Sequence, residues 1–197
     1  MVNKLSNWAR SAVAAVFVLA GAGVALAQTQ KDWGPPEGAP LPHDLALTAA
    51  SGETVSFDSV KGENGAVLFF VRSADWCPYC QAQLLELNSS AAEFTARGYA
   101  PVSISYDSVD KLAAFTSIRS VSYEMLSDPD SAVIDAFGVR DPQYAGGRAD
   151  GVPQPIVFIV DADGVIRAKL WQEGYRERPP IDEILDALDA VRESASS

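Results

Sequence analysis

The chain has 197 residues, 48% of them hydrophobic and 21% charged, with 26 acidic against 15 basic side chains and a formal net charge of −11 at pH 7. That length supports one domain with a full core and is short for two. So acidic a surface argues against nucleic acid and anionic membranes as partners.

Lys4 and Arg10 supply positive charge around a small, apolar stretch from Ser11 to Gly23, and Ala25-Leu26-Ala27 has the form of a cleavage site. The pattern predicts a cleaved signal peptide over 1–27 and export to the periplasm or the medium. It also predicts no stable membrane insertion afterwards, because the apolar run is shorter than the roughly 20 residues that span a bilayer. Cleavage removes two basic groups and no acidic one, so the mature chain is more acidic still. Residues 28–42, with Gly34, Pro35, Pro36, Gly38, Pro40 and Pro42, predict an extended lead-in on the surface, anchored by Trp33.

The folded domain is expected over 43–192. Leu45 and Leu47, then Val55 and Phe57, alternate on either side of Ser51-Gly52-Glu53 and predict a hairpin. The run Ala66 to Val71 lacks alternation, which suits a central strand covered on both faces. Leu84, Leu87, Ala91 and Phe94 recur at helical spacing, and Gly98 ends a helix of about five turns that begins at the cysteines. Next come a strand over 101–106, a helix over 109–119, a short strand over 123–126 and a helix from Ser131 to Phe137 stopped by Gly138. The glycine-rich stretch 141–151 predicts a mobile loop. A hairpin of 156–160 and 165–171 follows, turning at Asp161-Ala-Asp-Gly164. Pro179-Pro180 opens a last helix with Ile181, Ile184, Leu185, Leu188 and Val191 on one face, and residues 193–197 read as a frayed tail. Alternating strands and helices predict an α/β fold, a central mixed sheet with helices on both faces and an N-terminal hairpin extension.

Cys77 and Cys80, in Trp76-Cys-Pro-Tyr-Cys80, are the only two cysteines. They fall where a strand meets a helix N-terminus, whose exposed N–H groups favour an anionic sulfur. Pro78 suits an early helical position, where its missing N–H would be unpaired anyway. In an exported chain such a pair needs a structural or a catalytic explanation, and a bridge across two residues closes too short a loop to stabilise much. Half of a zinc site is the competing reading, but the chain holds one histidine, His43, and no further cysteine. Cys77 is therefore the expected nucleophile, with an exposed sulfur, and Cys80 the resolving residue; no metal or other cofactor is required.

Several stretches resemble the thioredoxin fold, and more closely its redoxin branch, the alkyl hydroperoxide reductase and thiol-specific antioxidant family. They are Gly38-Ala-Pro-Leu-Pro42, Arg72 with Trp76-Cys-Pro-Tyr-Cys80 and Gln83-Leu84, Leu126-Ser-Asp-Pro-Asp130 through Phe137-Gly-Val139, and Pro155 to Asp161. The similarity covers roughly 36–190. It implies a thioredoxin-like domain in which Gln154-Pro155 is a cis peptide beside the sulfurs, its backbone pairing with a substrate chain. Trp76, Pro78 and Tyr79 would position the substrate, and Arg72 and Asp75 would tune the thiolate, Asp75 also being a candidate partner for a buried Arg72.

The departures from the relatives bear on the reaction. Thioredoxins usually bury a carboxylate six residues before the first cysteine, where this chain has Val71. Peroxiredoxins place Thr or Ser three residues before theirs, where this chain has Ala74 with Ser73 out of register by one, and often an Arg where this chain has Pro155. The residues so read favour an exported thiol–disulfide oxidoreductase exchanging with a partner protein or small thiol. The alternatives are a peroxidase whose Cys77 attacks peroxide, and a non-catalytic binding module on the same scaffold.

Overall fold

The computed structural model describes residues 32–174 and 176–195; the expected signal peptide and the start of the lead-in lie outside them. One seven-stranded mixed sheet runs through the described part in the order β2-β1-β5-β4-β3-β6-β7. Its strands are β1 (Leu47–Ala49), β2 (Thr54–Val55), β3 (Gly65–Phe70), β4 (Tyr99–Ser105), β5 (Glu124–Ser127), β6 (Ile156–Asp161) and β7 (Ile166–Trp171). The helices are α1 (Phe57–Val60), α2 (Pro78–Ala96), α3 (Val109–Arg119), α4 (Ala132–Ala136) and α5 (Ile181–Ala195).

β3 lies inside the sheet, next to the middle strand β4 and parallel to it and antiparallel to β6, and all six of its residues are buried. Its alternate side chains serve two cores, because successive residues of a strand face opposite sides. Ala66, Leu68 and Phe70 join Phe57, Val60, Val133, Ile134 and Phe137 on one face. Val67 and Phe69 join Leu84, Leu87 and Phe94 of α2, Leu112 of α3 and Ile184, Leu185 and Leu188 of α5 on the other. An unbroken apolar run is what such double burial requires.

The hairpin extension forms, without Leu45, whose backbone is left-handed at φ 57° ahead of β1, and it is drawn into the main sheet with Thr48 opposite Ser127. Phe57 departs from the reading that placed it in the second hairpin strand. It opens α1, where the Ser56 N–H donates to Ser59 Oγ at 2.8 Å and the Phe57 ring enters the core. Gly65 starts β3 at φ 137°, and a β-carbon there would collide with the Val160 carbonyl of the neighbouring strand. The lead-in is tied down rather than loosely laid: Gly38 N–H donates to Ile166 O (2.7 Å), Ile166 N–H donates to Ala39 O (2.9 Å), and Trp33 is buried in the first core.

The last helix continues past Arg192 to Ala195, beyond the point where a frayed tail was expected. The stretch 141–151, read as a mobile loop, contains a short 3₁₀ turn at Pro142–Tyr144 and is cross-braced. Arg140 bonds both Asp135 and Asp150, and Ser131 Oγ donates to Gly151 O at 2.9 Å.

Candidate active site

β3 delivers the chain to the end of the sheet, and the segment from Val71 to Trp76 turns it into α2. Cys77 is the N-cap of that helix: its backbone is extended, its Sγ accepts from the Cys80 N–H at 3.3 Å, and Pro78 takes the first helical position. Cys77 and Cys80 are joined in a disulfide. Both belong to the second core, Cys77 being 3% and Cys80 0% exposed, so the expected exposed sulfur is not found. Trp76 (42% exposed) and Tyr79 (39%) are the large side chains open to solvent beside them.

Part of what covers the sulfurs comes from a distant segment that the sequence reading passed over. Arg178, in the connection between β7 and α5, places Nη2 at 3.2 Å from Cys80 Sγ and 3.9 Å from Cys77 Sγ. Burial, and then the positive charge of Arg72, hold its guanidinium below the ordinary arginine value, with Glu177 opposing. The nearest sequence signal is its place just before Pro179-Pro180; no spacing relates it to Cys77.

The two expected tuning residues make different contacts. Arg72 is buried with its guanidinium over the rings of Tyr144 (4.1 Å) and Trp76 (5.5 Å), so the braced loop 141–151 contributes a wall to the site. Asp75, proposed as its partner, instead pairs at the surface with Lys111 of α3 at 2.8 Å and raises the pKa of that ammonium. Strand geometry explains the divergence, since Asp75 already lies in the turn and points out toward α3. Trp76 Nε1 donates to Tyr106 Oη at 2.9 Å, which fixes the indole edge-on to that ring.

A buried carboxylate is present, but just past the end of β4 and not at position 71. Asp107 accepts from Ser73 Oγ (2.7 Å), the Ala74 N–H (2.7 Å) and Ser105 Oγ (2.9 Å). Ser73 Oγ in turn accepts from the Asp75 and Trp76 N–H groups at 3.0 and 3.2 Å. The out-of-register hydroxyl thus shapes the turn, while position 74 is a buried methyl. Asp107 was legible only as the residue just beyond a strand end, a common place for site residues in α/β sheets.

The Gln154-Pro155 bond is trans; no cis peptide occurs among the described residues, which corrects the expectation drawn from the resemblance. The segment is already committed in extended form. Gln154 N–H donates to Val139 O (2.8 Å), Pro153 bridges Arg140, and Ile156 pairs with Phe70. That N–H is therefore not open to a substrate chain. The Gln154 side chain donates to Gln172 O at 3.1 Å, at the start of the connection that leads to Arg178.

A strand-to-helix turn bearing a Cys-x-x-Cys disulfide, on a sheet of this order with helices on both faces, defines a thioredoxin-fold thiol oxidoreductase. The chain matches the AhpC/TSA family over residues 38–169 and belongs to that family. It is 32% identical over 123 residues to a putative peroxiredoxin of Mycobacterium tuberculosis, covering 62% of this chain and 76% of that protein. It is 30% identical over 123 residues to peroxiredoxin Bcp of Escherichia coli, covering 62% and 77%. Among solved structures, peroxidoxin BcpB of M. tuberculosis superposes with a TM-score of 0.66 at 25% identity over 80% of this chain and 96% of that one. A mutant peroxiredoxin 6 of Arenicola marina shares the fold, with a TM-score of 0.72 at 19% identity over 82% and 76%.

Proposed function

We propose that the chain is a peroxiredoxin-like thiol peroxidase that resolves its intermediate within one subunit. The Cys77 thiolate attacks one oxygen of a hydroperoxide, the O–O bond breaks, and the alcohol or water leaves with a proton while Cys77 becomes a sulfenic acid. Cys80 then attacks the Cys77 sulfur, water departs, and the disulfide forms; an external thiol reductant restores the pair. The observation that carries this reading is the Cys77–Cys80 disulfide at the N-terminus of α2 in a chain whose relatives are peroxiredoxins. It reverses the order that the residues alone favoured, in which thiol–disulfide exchange with a partner stood ahead of peroxidase chemistry. The test is loss of hydrogen peroxide and of an alkyl hydroperoxide in the presence of a dithiol. Wild type should consume both and Cys77→Ser neither; equal rates for the two proteins reject the proposal.

One observation favours a second reading, thiol–disulfide exchange with a protein or small thiol. Peroxide chemistry gains from groups that polarise the O–O bond, and here position 74 carries a methyl while Ser73 Oγ is bound to Asp107. Equilibration of the pair with glutathione buffers, together with no peroxide turnover, would select that reading. Export is part of the proposal, supported by Lys4, Arg10, the apolar stretch 11–23 and Ala25-Leu26-Ala27; N-terminal sequencing of protein from an expressing cell should find a start at Gln28.

A further inference from the structure

We infer that Arg178 is a catalytic residue of the reductive half of the cycle, holding the negative charge that develops on Cys80 when an external thiol opens the disulfide. This rests on the proposed function only in that both use the Cys77–Cys80 pair. The guanidinium is placed unequally, 3.2 Å from Cys80 Sγ and 3.9 Å from Cys77 Sγ. A group placed to stabilise an attacking Cys77 thiolate would favour the other sulfur. Access is unequal in the opposite sense. Cys80 is fully enclosed, whereas Cys77 retains slight exposure and is flanked by the half-open Trp76 and Tyr79.

The incoming thiolate is assigned to Cys77, the less enclosed of the two residues and the one next to Trp76. The donor sulfur bonds to Cys77 Sγ, the Cys77–Cys80 bond breaks, and the electron pair passes to Cys80 Sγ, which leaves as a thiolate against Arg178. The donor's second thiol, once deprotonated, attacks the donor sulfur of the mixed disulfide and expels the Cys77 thiolate. The donor ends as a disulfide, oxidised by two electrons, and the protein pair is reduced by two. The protons shed by the donor pass to Cys77 and to solvent. Thiol–disulfide exchange runs faster as the leaving thiol becomes more acidic. Burial alone makes Cys80 a poor leaving group, and a charge-assisted hydrogen bond from Arg178 opposes that.

The experiment mixes oxidised protein with dithiothreitol and follows disulfide opening by stopped flow, in wild type, Arg178→Gln and Arg178→Lys. A hydrogen bond to a charged group corresponds to about tenfold or more in rate, so Arg178→Gln should open at least about tenfold more slowly. Arg178→Lys, which keeps the charge, should recover part of the loss. In a Cys77→Ser background, the ultraviolet absorbance of the Cys80 thiolate should titrate at higher pH once Arg178 is Gln. Unchanged opening in Arg178→Gln, equal slowing in the Gln and Lys variants, or an unmoved Cys80 titration would each overturn the assignment. Peroxide enters none of these readouts. A wild type that fails to consume peroxide thus rejects the proposed function while the opening rates still decide the role of Arg178.

Discussion

Asp107 and Trp76 show, residue by residue, how the site is held. Asp107 gathers three donors from the active-site turn and β4, and its own carbonyl accepts from Ser127 Oγ at 2.7 Å on β5. Asn in its place turns one acceptor oxygen into a donor facing other donors, so a buried bond is lost and a polar group is left unsatisfied. Asp107→Asn should cost about 1–3 kcal/mol, read from the urea midpoint at constant slope. It should also lower the rate of Cys77 oxidation, since the Ser73–Trp76 turn is no longer braced. Trp76→Phe removes one bond to Tyr106 at an exposed position. It should change stability by less than about 1 kcal/mol, so a larger loss in turnover than in stability would place Trp76 in substrate positioning.

At the scale of elements, β3 and the α2–α5 pair decide where the sulfurs lie. Gly65 gives β3 its entry, at a backbone angle that L-residues rarely adopt and against the Val160 carbonyl. Gly65→Ala should destabilise by more than about 1 kcal/mol, because the clash is with backbone that has no room to rotate away; thermal unfolding checks this. Arg97, just past α2, forks onto Asp189 of α5 with bonds of 2.9 and 3.0 Å, and Arg192 adds a third at 3.1 Å. These arginines, Arg97 first, hold the Asp189 carboxyl below the usual carboxylate range. A depressed acid contributes stability above its unfolded value, near pH 4, and loses it as pH falls through the lower folded value. The Asp189 side chain is 39% exposed, so solvent screening limits the gain. Asp189→Asn should cost about 0.3–1 kcal/mol at pH 7 and nothing once both states are protonated, a difference that denaturant curves at the two pH values can resolve.

For the whole molecule, the site lies where β3 and β4 end, α2 begins, the loop 141–151 supplies Tyr144 and the connection to α5 supplies Arg178. The disulfide itself spans only Cys77 to Cys80. Cys80→Ser should therefore lower stability by no more than about 2 kcal/mol, the loop-entropy limit for so short a closure, while abolishing catalytic turnover. A single oxidation of Cys77 by peroxide should survive in that variant and persist as a sulfenic acid trappable by dimedone; prompt formation of an intramolecular disulfide elsewhere is impossible with no third cysteine.

Most of the fold was legible because its signals are local. The unbroken apolar run of β3 announced double burial, the spacing of Leu84, Leu87 and Phe94 announced α2, and Val109 to Arg119 was bounded by the residues that bound α3. The cysteine pair was legible for the same reason, since a C-x-x-C at a helix start is one turn of chain. Contacts made across the fold were not. The sequence by itself determined most of the strands, the longer helices and the cysteine pair at the start of α2, all of which follow from periodicity, turn residues and short-range spacing. Only the tertiary structure decided that Asp107 braces the Ser73–Ala74 turn, that Asp75 turns away to Lys111, that Gln154-Pro155 stays trans, and that Arg178 closes over Cys80. Each of those depends on which side chains meet from segments far apart in the chain, where burial and hydrogen-bond satisfaction choose among partners that local sequence leaves equivalent.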